Sequence, residues 1–376
     1  MSKINDLIKK LCPKGIVFKS IDSVADLYYG KGNNIPKDGG EYPVYGCYGI
    51  VSSTSTFNNE DTPIVGHIGS AGKVSWGAGK HYVTYNGTIC NPKDKNELNS
   101  RYLYHVLLDL HLENYVKGSQ PFLSSSDFGP IKIAIPPLEV QEEIVKILDK
   151  FGELEAELEA ELEARKSQYE FWREKLLNTG NSNQEYITLG DIGKVCMCKR
   201  IMKNETSESG DVPFYKIGTF GKQADAYISY DIFNDYKKRF SYPKKGEILV
   251  SCSGTIGRSV VFDGEDAYFQ DSNIVWLSND ESKVLNKFLY YFYQTSPWNI
   301  SDGGTIKRLY NNQFVSAKVP LYSLEEQKKI VNILERFDKL INDITVGLPA
   351  EIELRRKQYE YYRNKLLSFE ELSVSE

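Results

Sequence analysis

Apolar side chains recur at steps of three and four residues over two long stretches of the chain, which is the spacing of one helix face. In the first stretch, from about residue 138 to 178, they are Ile144, Ile147, Phe151, Leu154, Leu158, Leu162, Tyr169, Trp172 and Leu176. In the second, from about 323 to 368, they are Ile330, Ile333, Phe337, Leu340, Ile344, Ile352, Tyr359 and Leu366. This spacing predicts two coiled-coil helices. Steps of four around Leu158 predict a stutter in the first helix, and Gly347 and Pro349 predict a break in the second.

The remaining sequence has shorter apolar runs, such as YPVYG and EILVS, bounded by Gly, Asn and Pro. Such runs are typical of β-strands. Residues 102–116 and 284–294 are long and apolar enough to form helices between those strands. We therefore expect two globules that each combine strands with at least one helix.

The chain contains an internal repeat, which identifies the two helical stretches as copies. Residues 168–177 read QYEFWREKLL and residues 358–367 read QYEYYRNKLL, with seven of ten positions identical. A weaker match links GSAGK at 69–73 to GTIGR at 254–258. The repeat predicts a globule over 1–135, a helical spacer over 136–182, a second globule over 183–319 and a second spacer over 320–376.

Two related helices in one chain can bury their apolar faces against each other. The first leads from one globule to the next, so the second must run back, and an antiparallel pair follows. About forty residues would hold the globules roughly 60 Å apart. The predicted fold class is α+β, with two tandem α/β globules, an antiparallel coiled coil and pseudo-twofold internal duplication. Homodimerisation through the helices is the alternative that periodicity alone leaves open, and the duplication favours the pairing within one chain.

The net charge of −5 argues against nucleic-acid binding only while it is taken for the whole chain. Residues 139–178 carry −6 and the last eight residues −3, which leaves +4 for all the rest. The acidity lies in a spacer and a tail, so the globules can still approach DNA.

Motifs of common enzymes are missing from the sequence. It contains no GxxxxGK[ST] loop, no HExxH and no Asn-Pro-Pro-aromatic motif. Six scattered cysteines do not suggest a disulfide framework, and no second pair completes a zinc site with Cys196 and Cys198. Without a signal peptide or a long apolar span, we expect a cytoplasmic protein that binds no membrane and no metal.

Two variable globules that alternate with near-identical helices ending in QYE-aromatic-aromatic-R-x-K-L-L closely resemble the specificity subunits of type I restriction-modification systems. The resemblance covers essentially the whole chain. It implies that each globule is a target-recognition domain for one half of a bipartite site in double-stranded DNA. It further implies that the helices set the spacer and dock two methyltransferase subunits, to which restriction subunits can add. The chain would then be non-catalytic and hold no cofactor, with S-adenosylmethionine expected in the partner methyltransferase.

Candidate contact residues follow from the repeat and from the chemistry of DNA recognition. Lys73 and Arg258 follow equivalent Gly-rich turns and are the first candidates for phosphate or guanine contact. The further candidates lie in GSQPFLSS (118–125), in GGTIKRLYN (303–311) and at matched tyrosines, and are Gln120, Lys307, Arg308, Tyr45 and Tyr215. The candidates for the spacer and for partner docking are Ile144, Ile147, Phe151, Leu154, Tyr169, Trp172, Ile330, Ile333, Phe337, Tyr359 and Tyr362. For each one, a plain surface or core role is the competing interpretation.

The sequence ELEA occurs three times in succession over residues 153–164. This is either good helix composition or a ruler, since four helical residues add about 6 Å and rotate the chain by about 40°. The rival functions are a coiled-coil scaffold with duplicated globules and no DNA role, and an enzyme with an unrecognised site in the Gly-rich loops.

Overall fold

The computed structural model describes residues 2–32, 34–177, 184–300 and 307–371, and they form two compact units. Unit 1 comprises residues 1–159 and 351–376, and unit 2 comprises residues 160–350. The unit boundaries fall inside helical stretches, so that each unit contains one globule together with parts of both spacers. The four-segment division at residues 135, 182 and 319 remains a prediction.

Unit 1 is built mainly from antiparallel strands and helices. In chain order its elements are α1 (Ser2–Leu11), β1 (Val17–Ser20), α2 (Ile21–Val24), β2 (Ala25–Tyr29), β3 (Tyr42–Tyr45), β4 (Ile50–Thr54), β5 (Asn59–Gly66), β6 (Val74–Val83), β7 (Gly87–Pro92), α3 (Ser100–Asp109), α4 (Ser125–Phe128), β8 (Lys132–Ile135) and α5 (Leu138–Leu177), of which α5 continues into unit 2. Six strands form one sheet in the order β2-β7-β5-β6-β3-β4, and β1 pairs with β8. The pair β3 and β6 is parallel, while the other pairs are antiparallel.

Unit 2 repeats this plan with shorter strands. Its elements are β9 (Tyr186–Thr188), β10 (Gly193–Cys196), β11 (Val212–Tyr215), β12 (Tyr227–Ile228), α6 (Tyr230–Arg239), β13 (Ile248–Ser251), β14 (Ser259–Val261), β15 (Tyr268–Phe269), β16 (Ile274–Asn279), α7 (Asn286–Tyr293), α8 (Asn311–Ser316), β17 (Lys318–Pro320) and α9 (Leu324–Asn342). Helix α10 (Leu348–Leu367) follows, and from residue 351 it belongs to unit 1. The sheets have the orders β10-β16-β13-β14, β12-β11-β15 and β17-β9. As in unit 1, one pair, β11 with β15, is parallel.

The predicted elements agree with this fold, apart from one interruption. YPVYG contains β3 and EILVS contains β13, while 284–294 contains α7. Residues 102–116 were expected to form one helix, but α3 ends at Asp109 and a short 3₁₀ turn follows at Leu112–Tyr115. Between them His111 has a φ of 47°, which an α-helix cannot accommodate.

The beginning of each long helix packs on its own globule. In unit 1, Ile144 and Leu148 of α5 are fully buried in a core that includes Tyr102 of α3. In unit 2, Ile330 and Leu334 of α9 are buried in the same way. Apolar residues spaced by four lie on one helix face, and here that face covers the globule.

Further along, the helices pair antiparallel within each unit. In unit 1, Phe151 of α5 stacks on Tyr362 of α10, with 5.3 Å between the ring centroids. Four residues later in α5, Glu155 accepts from Arg356 of α10 at 2.6 Å, so the two helices run in opposite directions. In unit 2, the α5 residue Tyr169 lies 6.2 Å from Phe337 of α9, measured between ring centroids. The Tyr322 hydroxyl, just before α9, donates to the Leu176 carbonyl, which gives the same direction. The predicted antiparallel pairing is therefore confirmed within each unit.

The predicted break in the second helical stretch lies at residues 343–347. The Asp343 carboxylate accepts from the Thr345 backbone N–H at 2.7 Å, which turns the chain after α9. A Cβ on Gly347 would lie 2.7 Å from the carbonyl oxygens of Leu340 and Asp343, so only glycine fits this approach. The prediction that Ile344 belongs to the apolar face is wrong, because the helix has ended at Asn342 and Ile344 is 80% exposed.

Candidate nucleic-acid interface

The Gly-rich turn of unit 1 connects β5 to β6 and positions Lys73. Gly72 has a φ of 80°, and its N–H donates to the Gly66 carbonyl at 3.0 Å. The Lys73 N–H donates to Ser70, and its carbonyl accepts from Gly66 at 2.8 Å. Exposed Lys73 extends its ammonium group over the Tyr48 ring, 5.1 Å from the centroid.

The turn of unit 2 has the same bonds at the matching positions. Gly257 has a φ of 85° and donates to the Ser251 carbonyl at 2.9 Å, while the Arg258 carbonyl accepts from Ser251 at 2.9 Å. The Arg258 guanidinium donates to the Phe220 carbonyl at 2.8 Å and to the Thr255 hydroxyl at 3.4 Å. The predicted equivalence of Lys73 and Arg258 therefore holds bond for bond, but Arg258 also fixes a neighbouring loop.

Tyr45 and Tyr215 also occupy equivalent positions. Tyr45 is the last residue of β3 and Tyr215 the last residue of β11, and these strands pair in parallel with β6 and β15. The Tyr45 carbonyl accepts from the Thr84 N–H at 3.0 Å, and the Tyr215 carbonyl accepts from the Gln270 N–H at 2.9 Å. Tyr45 is buried with its ring at right angles to that of His81. Tyr215 is half-buried and stacks on Phe269. Tyr45 therefore packs inside unit 1, while Tyr215 packs on the neighbouring strand β15 in unit 2.

The third pair of candidate segments lies beside these turns. Gln120 is exposed, and two residues later Phe122 forms a bridge with Ile68. In unit 2 the matching bridge joins Arg308 to Ser253, and the Arg308 guanidinium donates to the Ser272 carbonyl at 2.7 Å. Lys307 is exposed. Residues 303–306 of the predicted segment lie outside the described residues.

An aromatic cluster in unit 1 was not predicted from the sequence. The His67 ring lies 4.0 Å from the Tyr29 ring and 4.8 Å from that of Phe122, and Tyr85 completes the cluster. Because the Leu123 carbonyl can only accept, His67 Nδ1 is the protonated nitrogen in their 2.7 Å bond. Phe122 and Tyr85 are exposed, and exposed aromatic rings are suited to stacking on bases or packing on thymine methyl groups.

A basic cleft in unit 2 was also missed. It has a volume of about 470 Å³, and its walls include Arg200, Lys203, Lys216 and the turn 270–273. The sequence signal was KRIMK at 199–203, with three basic residues in five positions. Such a concentration of cations is the electrostatic footprint expected of a DNA-binding surface.

The predicted docking and spacer residues divide between the two units. Unit 1 holds Ile144, Ile147, Phe151, Leu154, Tyr359 and Tyr362, and unit 2 holds Tyr169, Trp172, Ile330, Ile333 and Phe337. Of these, Trp172 and Ile333 are exposed. A feature missed from the sequence is a lysine above an exposed ring in each copy of the repeat. Lys175 lies 5.8 Å from the Phe171 centroid and Lys365 lies 5.6 Å from that of Tyr361.

The described ranges show neither a metal-binding cluster nor a membrane-spanning helix. These residues hold no cluster of three or more His, Cys, Asp or Glu that could bind a metal ion. No helix within them is both long and apolar enough to cross a membrane. All six cysteines are free thiols, and burial raises the pKa of Cys198 to about 12.

Comparison with known proteins identifies the class. The family model of the type I restriction modification DNA specificity domain matches residues 13–164 and again 181–354. Among similar proteins, a type I restriction enzyme specificity subunit of Haemophilus influenzae is 47% identical over 371 residues, covering 94% of this chain and 96% of the relative. A type I restriction enzyme specificity subunit of Escherichia coli is 33% identical over 297 residues, covering 73% of this chain and 72% of the relative. The crystal structure of a type I restriction-modification S subunit from M. genitalium superposes with a TM-score of 0.58 at 19% identity, covering 94% of this chain and 96% of that one.

Two copies of a DNA specificity domain in one chain define a DNA-recognition protein. The chain belongs to the family of type I restriction-modification specificity subunits. The predictions of family, fold class and DNA-specificity function are confirmed, and these matches give the scaffold alternative no support.

Proposed function

We propose that each unit reads one half of a bipartite site in double-stranded DNA through the surface around its Gly-rich turn. The observation that carries this is the common backbone frame: Gly72 and Gly257 make the same bond in their turns, while the side chains presented there differ. A constant frame with variable side chains is what two readers of different sequences require. The proposed DNA contacts are Lys73, Arg258, Gln120, Lys307 and Arg308. Tyr45 and Tyr215 support these contacts.

The helical surfaces serve to dock two methyltransferase subunits. The exposed residues Glu170 and Lys175 of one copy are kept as Glu360 and Lys365 of the other, although packing does not require them. The lysine above an exposed aromatic ring occurs in both copies. A surface repeated in this way suits two copies of one partner.

This chain contributes recognition and no active site of its own. The methyltransferase partners bind S-adenosylmethionine and transfer the methyl group, and restriction subunits join the same complex. The isolated chain is therefore expected to show no turnover, and an assay that found turnover would contradict this part of the proposal.

Modified-base sequencing of DNA from cells with and without this gene tests the proposal. We expect a methylated motif with two specified halves and an unspecified spacer, present only with the gene, and co-purification of the chain with a methyltransferase. A methylation pattern that is the same in both strains, with no methyltransferase bound, would support the scaffold alternative.

A further inference from the structure

The turn at residues 271–273 of unit 2 forms one wall of the basic cleft and is held in an unusual backbone conformation. Ser272 has a φ of 53°, a region that side chains other than glycine rarely adopt. Its carbonyl accepts from Arg308 Nη2 at 2.7 Å, and the Asn273 side chain accepts from the Ser253 hydroxyl at 2.9 Å. These bonds fix the turn from two neighbouring segments, so that the Asp271 side chain has a defined position.

Asp271 in turn orients Arg200. Arg200 Nε donates to Asp271 Oδ2 at 3.0 Å, and the carboxylate side chain is only 19% exposed, while the arginine side chain is 66% exposed. Among the described residues neither Nη group of Arg200 has another partner. The guanidinium is a planar fork of five N–H donors, and a bond through Nε leaves the two Nη groups at its end available. The guanidinium of Arg200 is thus held through Nε, and its two Nη groups remain available.

An open guanidinium edge of this kind matches one base. In the major groove guanine presents two acceptors, O6 and N7, to which an arginine can donate both of its bonds at once. Adenine presents an amino donor in place of O6, which would face an N–H donor of the arginine. An arginine that is already oriented loses less side-chain entropy on binding and therefore discriminates better.

We propose that Arg200 is a specificity-determining residue that reads a guanine in the half-site of unit 2, with Asp271 as its positioning residue. This inference rests on the proposed function and adds to it the base that one named side chain recognises. The donor atoms are Nη1 and Nη2 of Arg200, and the acceptors are O6 and N7 of the guanine. Asp271 does not touch the DNA.

The charge distribution of unit 2 favours this edge for DNA. Of the described residues that line the basic cleft, Asp271 is the one that is acidic, beside Arg200, Lys203 and Lys216, although Lys216 also pairs with Asp225 at 2.9 Å. A second cleft of about 180 Å³ in the same unit is lined by the carboxylates of residues 263, 265 and 266, with one lysine. Phosphates are attracted to the first cleft and repelled from the second.

Unit 1 has no such arginine at the matching place. Gly32 follows Ala25 of β2 by seven residues, as Arg200 follows Gly193 of β10, and a glycine has no side chain that could donate to a base. We therefore expect this arginine to require a guanine in the half-site of unit 2, and we expect no equivalent requirement in the half-site of unit 1.

The test uses the full chain expressed with its methyltransferase subunit, with motifs read by modified-base sequencing. In Arg200→Ala one G·C position of one half-site should lose discrimination by about 10- to 100-fold, with the other half-site and the spacer unchanged. Asp271→Asn should cause a smaller loss at that same position, an effect on base preference that a purely structural role would not produce. The control is Arg239→Ala, since Arg239 is similarly exposed and pairs with Asp235 at 2.8 Å in unit 2 but lies on helix α6.

Several outcomes would overturn the inference. One is an unchanged base preference at every position in Arg200→Ala, and another is a wild-type motif without any required G·C pair. If Arg200→Ala fails to fold, Arg200→Lys keeps the charge but lacks the two-pronged edge, and competition binding with the purified complex then measures each position. A uniform loss at all positions in that variant would contradict guanine reading. Failure of the proposed function would look different, because the wild-type chain would then give no bipartite motif at all.

Discussion

A buried glutamine connects each long helix to its globule, and its replacement should loosen that connection. Gln141 is fully buried near the start of α5. Its Oε1 accepts from the Asn99 N–H at 2.8 Å, and its Nε2 donates to the carbonyls of Glu97 at 2.8 Å and Pro136 at 2.7 Å. Gln141→Leu keeps the volume and removes all three bonds.

The magnitude follows from the three backbone groups that lose a partner. An unpaired buried donor or acceptor costs about 1–3 kcal/mol. Water can reach part of this site through a cleft that Glu97 and Pro136 line, so each group should lie at the lower end of that range. Burial of the leucine side chain returns part of the loss, and we expect a net local destabilisation of about 2–3 kcal/mol.

Hydrogen exchange measured by mass spectrometry locates the effect, since a single global unfolding energy is not defined for a chain of two units. Peptides around Asn99 should exchange about 30- to 150-fold faster in Gln141→Leu. Gln327 makes matching bonds to Leu285, Lys283 and Tyr322 in unit 2, so Gln327→Leu should affect that unit in the same way. Gln168→Leu at an exposed position of α5 is the control. Unchanged protection around Asn99 would refute the reasoning.

Three further predictions concern the helices. Deletion of residues 157–160, one ELEA unit, should change the unread DNA spacer by one or two base pairs with both half-sites intact, and a spacer that methylation mapping finds unchanged would refute the ruler. Burial lowers the pKa of His105 below its ordinary value of 6.5 although Asp149 lies 2.8 Å away. The unfolded chain therefore binds the proton at a higher pH than the folded chain, so unit 1 should lose stability as the pH falls below about 6.5. In His105→Asn, hydrogen exchange should show that the stability of unit 1 depends less on pH. Phe171→Ala and Tyr361→Ala should each lower methyltransferase occupancy from two copies towards one in native mass spectrometry, while Glu157→Ala should leave two.

The repeat and the helix directions were predictable because both depend on short-range patterns. Residues 168–177 and 358–367 share seven of ten identities, and the connectivity of the chain then requires antiparallel pairing. Which surface covers an apolar face could not be predicted in the same way. Ile144 belongs to the same periodic pattern as Phe151, yet the first is buried on the globule and the second packs on α10.

The candidate sites were harder to predict because they combine distant segments. The rings of Tyr29, His67, Tyr85 and Phe122 come from four segments that are distant in the sequence, and the fold brings them together. Arg200 and Asp271 are 71 residues apart and meet for the same reason. Lys73 and Arg258 were identifiable because glycines with positive φ precede both of them, a local requirement that the sequence records directly.

The two units show how one frame can serve different sequence preferences. The bridge of Ile68 with Phe122 in unit 1 corresponds to that of Ser253 with Arg308 in unit 2, so the same backbone position presents a phenyl ring in one unit and a guanidinium in the other. Both bridges are made by the backbone, so the side chains can differ there, although the Arg308 guanidinium also holds the turn at Ser272. Gln141 and Gln327 have no such freedom, since their side chains make the bonds themselves. Specificity can therefore diverge at the edge of each unit while the attachment of each globule to its helix stays fixed.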